Sequence, residues 1–280
     1  MNPLQKKIIF NCFFLIFIML QAGASTGMTE PGALLLATTT STDNTGLLNY
    51  LAPLFEKATG IELKWTAVGT GKALLLGQNC DVDVLLVHDP EAEKKFISKG
   101  FGINRREIMF NDFVIIGPAS DPAAVKGQGA VEALKSIQAR GAVFTSRGDE
   151  SGTHAMEKAL WGKTGAALPE KEQWYIQTGQ GMMTTIHIAE ERKGYTLTDR
   201  GTYYKYEDTK GGDPKLKILS EGDDLLKNQY SVIALNPRNC PARQHKPAMQ
   251  FSDWIAGAEG QKWINNFKLN GKPLFTANGK

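Results

Sequence analysis

One unit recurs along this chain and constrains its fold more than anything else. It is a short apolar run, then a loop of small hydroxyl residues or glycine, then apolar residues at helical spacing. Leu34-Leu35-Leu36-Ala37 runs into the polar stretch 38–45, after which Leu47, Leu48, Leu51, Leu54 and Phe55 repeat until Gly60. Pro53 falls inside that window and predicts a kink or an uneven start. Residues 61–68 read as a second strand, 69–71 as a turn, 72–77 as a short helix and 82–87 as a third strand. Residues 91–99 predict a helix and 112–117 a strand. A second set follows, with helices over 131–139, 154–161 and up to 190, and strands at 142–144, 174–176, 194–197 and 216–219. Residues 231–235 form one more apolar run. The aromatics between 248 and 267 predict helices interrupted at Gly260. Strand–loop–helix repetition of this kind specifies an α/β fold, with a parallel sheet flanked by helices.

The first 24 residues belong to a different class. Lys6 and Lys7 precede an apolar run over 8–20, and Ala22-Gly23-Ala24 follows as a small-x-small pattern. This predicts a secretory signal peptide cleaved near Ala24. The apolar run is shorter than the roughly 20 residues a membrane span needs. Removing it lowers the formal net charge from +3 to +1. It also removes Cys12, leaving Cys80 and Cys240, either as one disulfide or as two separate thiols. A charge so close to zero, with no basic run, excludes a nucleic-acid partner. The most economical layout is two lobes, 25–117 with 231–280 and 118–230, joined by a hinge of two crossing strands, 113–117 and 231–235.

Three loops share one design, each ending a strand in hydroxyl or glycine residues ahead of a helix. They are Thr38-Thr39-Thr40-Ser41-Thr42, Gly69-Thr70-Gly71, and Ser146-Arg147-Gly148-Asp149-Glu150-Ser151-Gly152-Thr153. Ligands of open α/β sheets bind where such loops gather at the carboxyl ends of strands. There, helix N-termini present unpaired N–H groups and the positive end of the dipole. Hydroxyls add donors, and together these make an anion site. Arg147 is the single formal positive charge in the three loops, and its fork suits two oxygens of one ligand. Taken singly, each loop reads equally as an N-cap, and Arg147 as a surface partner of Asp149 or Glu150.

Other motifs fail. A phosphate loop ending in Gly71-Lys72 would need glycine where Thr66 stands, and a dinucleotide fingerprint begun by Gly179-Gln180-Gly181 would need glycine at Thr184. Asp149 stands two residues before Ser151, so there is no nucleophile elbow to support a secreted serine hydrolase. Cys80 and Cys240 with His88, His154, His187 and His245 have no zinc spacing, and no metal site or cofactor is expected.

The run Ala37-Thr38-Thr39-Thr40-Ser41-Thr42-Asp43-Asn44-Thr45-Gly46-Leu47-Leu48 closely resembles the tungstate-binding proteins of bacterial ABC-type tungstate transporters. So do Val68-Gly69-Thr70-Gly71, Ser146-Arg147-Gly148-Asp149-Glu150-Ser151-Gly152-Thr153-His154 and Tyr195-Thr196-Leu197-Thr198-Asp199-Arg200-Gly201-Thr202. The resemblance covers about residues 34–275. It implies a two-lobed periplasmic-binding-protein fold of the second type, closing on a tetrahedral oxyanion. It also implies that Thr40, Ser41, Thr70, Arg147, Ser151 and Thr153 line the site, with a further N–H near Gly181 and Met182. Met182-Met183 departs from that pattern, being bulky beside a ligand.

What the resemblance implies is a monomeric, non-enzymatic periplasmic protein. It would capture tungstate or molybdate and deliver it to a membrane permease. Phosphate or sulfate is the alternative ligand. Protonated phosphate wants a carboxylate acceptor, which Asp43 or Asp149 would supply. A signalling or adhesive role is a third class that the two-lobe pattern leaves open.

Overall fold

The structure is a computed structural model and describes residues 33–279. The expected signal peptide, 1–24, lies outside the described residues.

The first expected units form in order. Strand β1 (Leu34–Thr39) runs into the short helix α1 (Thr40–Asn44) and then α2 (Leu47–Thr59). Strand β2 (Leu63–Val68) leads to α3 (Thr70–Gln78), and β3 (Val84–Val87) to α4 (Pro90–Ser98). Helix α2 buries Leu47, Leu48, Leu51 and Phe55 and runs through Pro53 without interruption, ending at the left-handed Gly60. Helix α3 begins at Thr70, so the expected turn residue is the first of the helix.

Strands β1, β2 and β3 are parallel, with Leu36 beside Trp65 on one side and Val84 on the other. Their carboxyl ends therefore share one edge. Every β3 residue is buried, as a strand covered on both faces requires.

Next comes β4 (Gly102–Pro118), a 17-residue strand of which only the last third is legible as an apolar run. Its first part pairs antiparallel with β9 (Lys227–Leu235), from Gly102 beside Leu235 to Asp112 beside Lys227. From Phe113 onward it pairs instead with β7 (Thr196–Asp199) and β8 (Leu216–Ser220). The expected pair of connecting strands is thus present, but segments 113–117 and 231–235 do not pair with each other. The two strands meet in register at Asp112 and Lys227.

Between β4 and β9 lie α5 (Ala130–Ala139), β5 (Phe144–Ser146), α6 (Gly152–Lys163), β6 (Tyr175–Gln177), α7 (Met182–Glu191) and α8 (Arg200–Thr209). Helix α8 escapes an apolar-periodicity reading because it buries only Gly201, Tyr203 and Tyr206. The buried members of two hydrophobic cores come from residues up to 109 and from 230 onward, and those of two others from residues 113–226.

After β9, helices α9 (His245–Ala256) and α10 (Ala258–Asn266) break at Gly257, not at Gly260. Gly260 sits inside α10, where a Cβ would stand 2.4 Å from the Trp254 carbonyl oxygen. It is a close-packing glycine that imitates a helix stop. Short strands β10 (Lys268–Leu269), β11 (Lys272–Pro273) and β12 (Thr276–Ala277) follow, β12 pairing with β4.

Cys80 and Cys240 form a disulfide across 5.5 Å between Cα atoms, deciding between the two alternatives open in the sequence. It ties the end of α3 to the segment after β9, closing a loop of 160 residues. Replacing both cysteines by serine should lower unfolding stability by about 2–5 kcal/mol. Urea denaturation of the variant and of the oxidised protein, compared at equal pH, measures the difference.

Candidate functional site

The parallel register delivers the site. The carboxyl ends of β1, β2 and β3 present Thr39–Ser41, Gly69–Thr70 and His88 at one edge, and the end of β5 presents the segment 147–153 against them. Thr40, Ser41, Thr70, Arg147, Ser151 and Thr153 all line a single cleft of about 450 Å³. A neighbouring cavity of about 420 Å³ shares Thr40, Ser41 and Arg147 and adds Gly181, Met182, Met183 and Thr184.

Local chemistry explains each loop. The Thr39 hydroxyl caps α1, accepting from the Thr42 N–H at 3.2 Å, and the Ser151 hydroxyl caps α6, accepting from the His154 N–H at 3.3 Å. A capping hydroxyl uses a lone pair and keeps its own proton to donate. Gly69 caps α3 with no side-chain bond, and a Cβ on Gly69 or Gly71 would meet nothing within 4 Å. The first N–H groups of α3 are therefore left without a side-chain acceptor beside open space.

The segment after β5 is held tightly. Gly148 has φ +62°, and a Cβ there would stand 3.0 Å from the Gln177 Cβ. Glu150 is also left-handed, at φ 58°, a conformation that non-glycine residues adopt at a cost. Asp149 organises the loop, accepting from the Ser151 N–H at 3.1 Å and from Arg147 Nε at 2.7 Å. Arg147 is thereby fixed by one edge of its guanidinium. Its two Nη nitrogens make no hydrogen bond among the described residues.

The PBP superfamily domain matches residues 22–259 of the chain. The tungstate-binding protein TupA of Campylobacter jejuni is 52% identical over 240 residues, covering 86% of this chain and 89% of that protein. The chain belongs to the tungstate-binding family within the PBP superfamily. Among solved structures, the tungstate-binding protein TupA of Desulfovibrio alaskensis G20 is 61% identical, with a TM-score of 0.86, covering 89% of this chain and all (100%) of that one. The tungstate ABC transporter structure from Geobacter sulfurreducens is 47% identical, with a TM-score of 0.74, covering 84% of this chain and 98% of that one. The type of fold expected from the family resemblance is thus the fold observed.

Several features of this family member escape a reading of its motifs. Lys72, on α3, lines the same cleft as Arg147, so Arg147 is not its sole cation. The side chain of Met182 goes into a core with Val114, Ile116 and Ile186, and Met183 packs against that core. Both methionines border the neighbouring cavity and not the cleft that holds Thr70 and Ser151. Their bulk therefore leaves that cleft clear. His88 carries no motif, yet its Nε2 lies 3.0 Å from the Thr39 hydroxyl and 3.1 Å from that of Ser41. Burial holds its pKa below the ordinary histidine value.

Beneath the Arg147 loop, Glu157 of α6 is buried and accepts the Tyr175 hydroxyl at 2.5 Å. Burial pushes its pKa up to about 7. A carboxyl with a raised folded-state pKa holds its proton more tightly folded than unfolded. Its stabilising contribution is complete below the unfolded value, near 4.5, and is lost as pH rises to about 7. Glu157→Gln keeps an acceptor for Tyr175 and cannot titrate. Urea unfolding should give a wild type weaker by about 3 kcal/mol at pH 8 than at pH 4.5 through this group, and a variant in which that component is absent.

Proposed function

We propose that the chain captures tungstate, or the near-isosteric molybdate, in the periplasm and passes it to an ABC-type membrane permease. The observation that carries this reading is the convergence of Thr40, Ser41, Thr70, Arg147, Ser151 and Thr153 on one cleft. A fully ionised tetrahedral oxyanion is acceptor-only, so it loses its hydration favourably only to a surface of donors. Hydroxyls, helix N–H groups and a guanidinium supply that surface. In a closed cleft, little water remains to screen them.

We assign the lobes as 25–117 with 231–280 and 118–230, pivoting where β4 and β9 pass Asp112 and Lys227. All six proposed ligand residues line one cleft within a single chain, so the binding unit we propose is the monomer. The disulfide agrees with an oxidising compartment such as the periplasm.

Two rival readings meet specific obstacles. Protonated phosphate needs an acceptor, but Asp43 is not among the residues lining the cleft and takes the Trp65 indole N–H at 2.7 Å, while Asp149 is already paired with Arg147 and holds the Ser151 N–H. A hydrolase needs a base on Ser151, but His154 Nδ1 accepts the Glu150 N–H at 3.1 Å and the Ser151 oxygen itself accepts from the His154 backbone.

Arg147→Ala should weaken tungstate binding by about tenfold or more, the size of one charge-assisted hydrogen bond, without unfolding the protein. Competitive titration calorimetry with tungstate, molybdate, sulfate and phosphate checks both the variant and the ligand class. The two group-six oxyanions should displace one another, and phosphate should not compete.

A further inference from the structure

A buried polar relay lies behind the hydroxyl donors of β1 and α1, and it runs through a residue that no motif marks. His88 follows β3 directly, and its ring stacks on Tyr230 at 4.7 Å between centroids. Its other edge faces the start of α6, where a Cβ on Gly152 would stand 3.6 Å from His88 Cε1. The ring therefore stands between the loop of β1 and that of β5.

The relay assigns its own protons. The Asn228 amide nitrogen donates to Asn111 Oδ1 at 2.7 Å and to the Tyr230 hydroxyl at 3.3 Å, so the Asn228 oxygen is the acceptor side. With the Asn228 amide turned this way, its oxygen lies 2.9 Å from His88 Nδ1 and accepts a hydrogen from it. In the neutral ring Nε2 is then an acceptor. It faces two hydroxyls, those of Thr39 and Ser41, and it takes one of their two protons. Both residues line the cleft, so a neutral His88 competes with the ligand for a hydroxyl proton. An imidazolium reverses this. Its Nε2–H donates to the hydroxyl oxygens instead; Thr39 keeps its proton among Ser41 Oγ at 2.9 Å and Thr42 Oγ1 at 2.7 Å, and the Ser41 proton is freed for the cleft.

From this geometry we propose that His88 is a positioning residue that takes up a proton as the oxyanion binds, aiming the Ser41 hydroxyl at the ligand. The inference rests on the oxyanion reading above. An acceptor-only dianion gains one more donor and a nearby positive charge in the protonated state. The surrounding groups set the balance. Asp89 follows His88 on its own segment, Asp199 ends β7, and Tyr230 stacks on the ring from β9. Arg147, Asp149 and Glu150 face the cleft from the loop after β5, and Lys72 from α3. In the free protein, burial keeps the ring neutral against the pull of Asp199 and Asp89. The bound dianion reverses that preference. Affinity should then rise as pH falls between the free and bound pKa values of the ring.

The test is titration calorimetry of the protein with tungstate near pH 7, in buffers of different ionisation enthalpy, together with affinities from pH 8.5 to 6.5. The expected result is net uptake of a fraction of a proton in wild type and an affinity that rises on acidification, by at most about tenfold per pH unit. His88→Gln should still bind, more weakly, with no proton uptake and a flat profile. Carbon-detected NMR of the four histidine rings follows the wild type with no substitution, and the His88 pKa should rise on loading. Undiminished binding with no proton uptake, an unmoved His88 pKa, or uptake that persists in His88→Gln would each overturn the proposal, the last pointing to Glu157 or His154. Absence of any tungstate binding would instead overturn the oxyanion reading on which it stands.

Discussion

A dianion leaves water only where donors already stand in place of its hydration shell. That constraint governs the arrangement of this molecule. Neutral hydroxyl side chains supply part of that shell and backbone N–H groups the rest, so little charge is buried. Parallel pairing of β1, β2 and β3 sends three chain segments out of the same edge, and helices α1 and α3 start immediately beyond. Each helix start offers N–H groups that no i−4 carbonyl can reach. The opposing start of α6 completes the ring of donors from a different sheet.

Formal charge is then used sparingly. Arg147 is tied to Asp149 at 2.7 Å, so the pair contributes direction more than net charge. The same Asp149 holds the Ser151 N–H, so one carboxylate orders both the guanidinium and the cap of α6. The left-handed Gly148 and Glu150 are the backbone cost of bringing those groups together. With a formal net charge of only +3 on the whole chain, long-range attraction plays little part. On the proposed reading, recognition depends on fixed dipoles at short range.

Much of this was legible in the sequence, because the hydroxyl loops are local and lie beside their own strands. The family resemblance then singled out Thr40, Ser41, Thr70, Arg147, Ser151 and Thr153 within those loops, and the structure brings the six to one cleft. What stayed hidden depends on distance along the chain or on packing. His88 reaches Thr39 across 49 residues and Asn228 across 140, with no spacing to announce it. Lys72 looked like a helix residue beyond the loop, and only the start of α3 at Thr70 turns it toward the cleft. The first part of β4 carries the polar run Asn104-Arg105-Arg106-Glu107 and only three apolar residues after it, Ile108-Met109-Phe110, too few to mark a strand. Gly260 imitated a helix stop because a close helix contact demands glycine just as a terminus does. The pairing of Cys80 with Cys240 needed a Cα separation that no sequence contains.

Anomalous diffraction at the tungsten edge, from crystals of the protein grown with tungstate, tests the central claim most directly. The account predicts one tungsten peak in the cleft between Ser41, Thr70 and Arg147, with its oxygens facing hydroxyl, N–H and guanidinium donors. A peak outside that cleft, or an empty cleft at saturating tungstate, would contradict it.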